Sequence, residues 1–175
     1  MNDQIKNFFK KRILKFIYKK ELKNRSKRNV KKLKANFPSI LVIIDAQLNL
    51  NKNDLGFLAE IFTISDEKIN FLWYDSPLVY DFFNHESIDI DDIDFYGRVS
   101  NKFDLFFKER YDVLINFYNR ESIILKFLSL KVKHNFSIGF SPIDIELNDL
   151  VFDFDPNNLD VLKTELIKYR EVVSK

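Results

Sequence analysis

The chain has 175 residues, 46% of them hydrophobic, and no cysteine. That length suits one folded domain with an appendage, and the missing thiols exclude disulfides, thiolate metal sites and a cysteine nucleophile. The formal charge of +2 hides a division: residues 1–36 carry 14 Lys/Arg against Asp3 and Glu21, a net +12, while the remainder carries 14 basic and 24 acidic side chains, a net −10.

With no oxidising framework to build, a reducing cytoplasm is the expected setting. Charges interrupt every apolar run near the N-terminus, so no secretory pattern forms, and no window has the length and apolarity of a spanning helix. Phe is abundant at 19 copies. Together with frequent Lys, Asn and Ile, this fits an AT-rich coding bias, which lowers the weight of any lysine-rich stretch.

Residues 4–20 place Ile5, Phe8, Phe9, Ile13, Phe16 and Ile17 at spacings of three and four, with lysines at most other positions. That spacing predicts an amphipathic helix with a bulky apolar stripe and a cationic face. From Lys19 to Lys34 only Leu22, Val30 and Leu33 remain as apolar anchors, and Pro38 ends a basic helical arm over 1–37. An α/β domain is expected over 38–175. Its first strand is Ile40–Asp45, a continuous apolar run of the kind buried on both faces of a parallel sheet. Asp54 suits the N-cap of a helix over 55–62, and Ile69–Tyr74 reads as the second strand. Residues 78–94 are acidic and read as a solvated loop; 95–99 read as a short edge strand and 101–109 as a short helix. Tyr111–Tyr118 is the central strand, followed by a helix over 121–131 with Asn119 as its cap. Strands are expected at 136–140 and 150–154, the pair antiparallel because so little chain separates them. Asp155-Pro156 then starts a final helix with Leu159, Leu162, Leu166 and Tyr169 on its core face. Strands alternating with helices give a single, mostly parallel α/β sheet, flavodoxin-like or half-Rossmann, with 40–45 and 111–118 in the middle.

Three blocks carry a resemblance: the basic lead-in to Ile-Leu-Val-Ile-Ile-Asp45, the run Tyr111-Asp-Val-Leu-Ile-Asn-Phe-Tyr118, and Phe136-Ser-Ile-Gly-Phe-Ser141 continuing to Asn148-Asp-Leu150. On these the chain resembles a small uncharacterised protein family of flavobacteria and their relatives. The likeness implies a compact α/β fold and assigns no activity, cofactor or site residue.

Ligands of open parallel sheets bind beyond the carboxyl ends of the strands. The residues falling there are Asp45, Asp75, Ser76, Asn116, Tyr118 and Ser141. Asp45 with Asp75 has the chemistry for a divalent cation or an acid–base pair; the same residue types are also those that strand ends and turns favour for backbone hydrogen bonds. The three glycines form no phosphate-binding loop, and there is no G-x-G-x-x-G or Walker sequence. His85 and His134 have no second ligand at metal spacing. No cofactor and no metal is expected.

The arm offers Lys10, Lys11, Arg12, Lys19, Lys20, Lys23, Arg25, Lys27, Arg28, Lys31, Lys32 and Lys34 to an anionic partner. RNA or a ribonucleoprotein is the first expectation, and an anionic membrane surface the alternative. Against RNA stands the excess of Lys (21) over Arg (7). The stripe would also suit packing on the body with the lysines left as a solvated face. The expected function is therefore a non-catalytic binding or scaffold protein. The competing class is a transferase or hydrolase acting on a sugar or nucleotide at the sheet's carboxyl edge.

Overall fold

The computed structural model describes residues 3–25, 39–74, 86–143 and 145–173. Six parallel strands form one sheet: β1 (Ile40–Asp45), β2 (Ile69–Tyr74), β3 (Ser87–Ile88), β4 (Arg110–Phe117), β5 (Lys133–Phe140) and β6 (Leu150–Phe152), in the order β3-β2-β1-β4-β5-β6. This is the doubly wound order in which the chain reverses direction across the sheet at β1 and β4. Those two strands are neighbours, with Ile40 opposite Val113 and Ile43 opposite Asn116.

The helices α1 (Asp3–Arg25), α2 (Phe57–Phe62), α3 (Asp104–Lys108), α4 (Ile123–Lys131) and α5 (Leu159–Val173) cover both faces. Alternation along the strands explains the two cores. Ile40, Val42 and Ile44 point with Val113, Ile115 and Phe117 toward α2 and α5, meeting Leu58, Ile61, Leu162 and Leu166. Leu41 and Ile43 point the other way with Leu114, toward Phe103, Phe106, Leu125, Phe127 and Leu128. The same second core includes Leu14 and Tyr18 of α1. The N-terminal helix thus lies on α4 as part of the packed domain.

Several local expectations differ from what forms. Residues 95–99 are a turn, with only an isolated antiparallel bridge between Ile93 and Val99. Asp94 organises it by accepting hydrogen bonds from the backbone N–H groups of Tyr96 and Arg98, both at 2.8 Å. The edge strand is instead Ser87–Ile88, inside the stretch expected to be a solvated loop. Between β5 and β6 the pairing is parallel, not antiparallel. Leu150 pairs with Ile138, close to the carboxyl end of β5, so the intervening chain steps back only about 7 Å. A short 3-10 turn at Ile145–Leu147 suffices for that, and no helical crossover is needed.

Three helix starts also move. Asn51, not Asp54, accepts from the N–H groups of Asn53 and Asp54 ahead of α2. Ser122, not Asn119, caps α4 by accepting from Leu125 N. Asp155 caps a turn at Asn157, and Asn158 accepts from Val161 N at the true start of α5. At α4 and α5 a nearby Ser or Asn side chain provides the cap that the sequence suggested for its neighbour, whereas α2 follows Gly56 with no side-chain cap, and Asn51 orders only the turn before it.

Candidate functional site

The carboxyl edge of the sheet comes first, because the strand order places a switch point between β1 and β4. Asp45 ends β1 and is 2% exposed. Its carboxylate accepts from Gln47 N and is gripped by Arg120, whose Nε and Nη2 both donate to it, the latter at 3.0 Å. Arg120 comes from the segment that leaves β4 and reaches back across the switch point. The geometry is that of a two-pronged guanidinium–carboxylate pair, the strongest neutraliser of a buried carboxylate. Asp45 therefore faces a built-in cation where a ligand of a doubly wound fold would sit. Asp75 and Ser76 lie outside the described residues, as does His85.

Asn116 shares a sheet face with Asp45 but turns to a different neighbour. It is fully buried and donates through Nδ2 to Asn148 Oδ1 at 2.6 Å. Asn116 Oδ1 and Asn148 Nδ2 have no hydrogen-bond partner among the described residues. Asn148 fits there because Gly139 lies beneath it: a Cβ at position 139 would come within 2.2 Å of Asn148 Nδ2. The hydroxyl of Tyr118 is buried against Ser129 Oγ of α4 at 2.8 Å. Ser141 donates its backbone N–H to Phe152 O at 2.8 Å, closing the edge over β6. His134 is buried with Nδ1 on Val132 O. The described candidates at the carboxyl edge are each engaged with a different protein group. A shallow depression lies elsewhere, beside the start of β2, lined by Lys52, Leu55, Asp66, Ile69 and Phe71.

The other candidate surface is α1. Of the apolar stripe only Ile17 belongs to its inner face. Leu14 and Tyr18 are buried, Ile17 and Leu22 pack partly, and Lys10 is only 3% exposed. Lys10 Nζ donates to Ile90 O at 2.8 Å and lies 3.7 Å from Asp91, so this cation pins the helix to the segment after β3. Glu21 turns inward to Lys131 of α4 at 2.9 Å. Gly97 has a positive φ of 74° and sits where a Cβ would lie 3.0 Å from Ile17 and 3.1 Å from Phe127, so its turn tucks into the seam between α1 and α4.

The outer face holds the residues expected to dock. Ile5, Phe8, Phe9 and Phe16 are exposed, Phe16 at 72%, and Ile13 is at the margin. Phe8 and Phe9 pack edge to face at 5.8 Å, and Arg12 lies over the Phe8 ring at the same distance. Lys11, Arg12, Lys15, Lys19, Lys20 and Lys23 are all exposed. Of the residues expected to meet an anionic partner, Lys10 is thus buried, while Lys11, Arg12, Lys19, Lys20 and Lys23 are presented together. The Arg25 side chain and Lys27, Arg28, Lys31, Lys32 and Lys34 lie outside the described residues. Two features escape a reading of the apolar stripe alone. One is the row Lys10-Leu14-Tyr18-Glu21, spaced four, four and three, which shows that a second face has its own partners. The other is Arg120, an unremarkable loop arginine until the fold carries it to Asp45.

The fold and these surfaces define a doubly wound α/β domain with an amphipathic, lysine-rich helix laid along one face. Residues 10–172 match the model of the Family of unknown function (DUF6913), and the chain belongs to that family. No curated protein matches the chain, and no solved structure matches it. Among the described residues no helix is long and apolar enough to cross a membrane.

Proposed function

We propose that this chain is a non-catalytic binding protein that engages an anionic partner through the outer side of α1. The observation that carries this is the segregation of charge on one element. Six cations of α1 are exposed, whereas Glu21, one of its two acids, is turned inward to Lys131. The other acid, Asp3, lies in the first turn, where a carboxylate complements the helix's own partial positive charge. Because the chain beyond residue 36 is net negative, an anion is drawn to α1 and repelled from most of the remaining surface.

The enzymatic alternative would centre on Asp45. Its carboxylate is already neutralised by Arg120, so cation binding or proton transfer there would first require that pair to open. This weighs toward binding.

The test is a titration of the full chain and of a Lys19→Glu/Lys20→Glu/Lys23→Glu variant against RNA and anionic vesicles at several salt concentrations. The wild type should bind at least one of these ligands at low salt, lose affinity as salt rises, and bind far more weakly after charge reversal. No binding to either ligand at low salt, or undiminished binding by the variant, would overturn the proposal.

A further inference from the structure

We infer that the anionic partner of α1 is a phospholipid bilayer, and that the helix lies in its interface with Ile5, Phe8, Phe9 and Phe16 below the headgroups. This rests on the proposal that α1 is the binding element, and it names the partner.

The outward face of the helix carries Ile5, Phe8, Arg12, Phe16, Lys19 and Lys23 at intervals of three and four, with Phe9 beside Phe8 and four residues after Ile5. Its first part, from Ile5 to Phe16, is an apolar strip about 17 Å long interrupted only by Arg12. Lys11 and Lys15 border the strip on one side and Lys20 lies on the other. Long lysine and arginine stems can extend along such a strip and keep their charges at headgroup level while the rings go deeper. The combination answers both properties of an anionic leaflet, its negative surface and its apolar interior.

Packing fixes the orientation. Leu14 and Tyr18 are buried in the core, Lys10 is tied to Ile90 O, and Glu21 is tied to Lys131, so the helix cannot roll its phenylalanines inward without breaking all of these. The outer face is therefore already formed, and binding requires no helix folding at the surface. That lowers the conformational cost of association.

Other occupants fit less well. An RNA backbone approaching this convex face would meet the tips of Phe8, Phe9 and Phe16 before most of the lysines, leaving apolar groups against phosphate. A second copy docked through the same face would bring two sets of exposed cations together, with Glu21 of each copy turned away from the seam. A bilayer accepts the rings and the cations at once.

The experiment is flotation of the full chain with vesicles of phosphatidylcholine alone and of equimolar phosphatidylcholine and phosphatidylglycerol, with RNA binding measured in parallel. The double variant Phe8→Ser/Phe16→Ser removes two exposed rings, and Tyr96→Ser, at another exposed ring, is the control. Because the chain has no cysteine, Phe16→Cys and Ile145→Cys can each carry a single environment-sensitive fluorophore. Wild type should float with the anionic vesicles and not with phosphatidylcholine alone. The double variant should bind about tenfold more weakly or worse, with an unchanged melting temperature, and Tyr96→Ser should bind as wild type does. The probe at 16 should brighten and shift to the blue in anionic vesicles, while the probe at 145 should not. Full vesicle binding by the double variant, or a water-like probe at 16, would overturn insertion. Salt-dependent RNA binding without vesicle binding would overturn the lipid assignment and leave the anionic-partner proposal standing. Binding to neither would overturn both.

Discussion

Two substitutions on one helix separate its faces. Leu14 of α1 is fully buried in the core shared with α4, and Phe16, two residues later, is 72% exposed. Leu14→Ala deletes the equivalent of three buried carbon groups, about 2.4 kcal/mol at ~0.8 kcal/mol for each. Incomplete collapse of the cavity raises the cost, so about 3 kcal/mol is expected, within the usual range for buried leucines. For a domain of this size that corresponds to a fall in Tm of roughly 6–12 °C. Phe16→Ala removes a larger side chain but leaves no cavity, and its effect should stay within about 0.5 kcal/mol. Urea unfolding followed by far-UV circular dichroism measures both. Had the apolar stripe docked inward, the order would reverse. A Leu14→Ala cost below about 1 kcal/mol, or a Phe16→Ala cost above it, would refute the packing of α1 described here.

Removing Arg120 as Arg120→Met should destabilise by about 3 kcal/mol, because Asp45 is left buried without its counter-ion. Asp45→Asn/Arg120→Met should recover much of that loss in a double-mutant cycle, and strict additivity of the two changes would count against a coupled pair. Gly139→Ala places a methyl group against the Asn148 amide and should cost about 1–3 kcal/mol in denaturant unfolding; a neutral result would mean that Asn148 yields freely. Burial, with the Glu109 charge adding to it, pushes the Tyr111 phenol up to about 12. Its unfolded value is near ~10, so the unfolded chain loses this proton first. The stability tied to the neutral phenol is therefore complete below about pH 10 and is lost as pH rises toward 12. Tyr111→Phe should show a shallower alkaline fall in stability over that window, and superimposable pH curves would refute the assignment.

The central strands were legible because their burial on both faces leaves an unbroken apolar run, as in Ile40–Ile44 and Val113–Phe117 with Asn116 as the single polar residue. Ser87–Ile88 was not legible, since two residues carry no period and an edge strand makes few demands on sequence. The parallel β6 was obscured by an assumption about connection length that holds only when a strand must be retraced in full. On α1 the helix itself was plain. Its orientation was not, because a wheel with apolar residues on two arcs does not say which arc meets the protein. Phe8, Phe9 and Phe16 make the bulkier arc, yet Leu14 and Tyr18 enter the core with Phe127, and Ile17 meets the turn at Gly97. At the carboxyl edge, Asp45 ends β1 and Asn116 lies one residue before the end of β4, but nothing in the sequence shows their partners. Arg120 is 75 residues from Asp45, and Asn148 is 32 from Asn116.

The polar contacts that seat α1 close long loops. Lys10 reaches Ile90 across 80 residues, and Glu21 reaches Lys131 across 110. During synthesis the helix therefore emerges well before its berth exists. At about 5–20 residues per second, the gap between making Glu21 and making Lys131 is roughly 5–20 s. Throughout that interval Leu14 and Tyr18 lack the α4 side chains that cover them in the finished fold, so the segment shows a second apolar strip besides its phenylalanines, the two separated by its lysines. What the finished fold presents as a one-sided surface begins as a two-sided one, exposed to the translation machinery, chaperones and any nearby bilayer before α4 arrives to claim half of it.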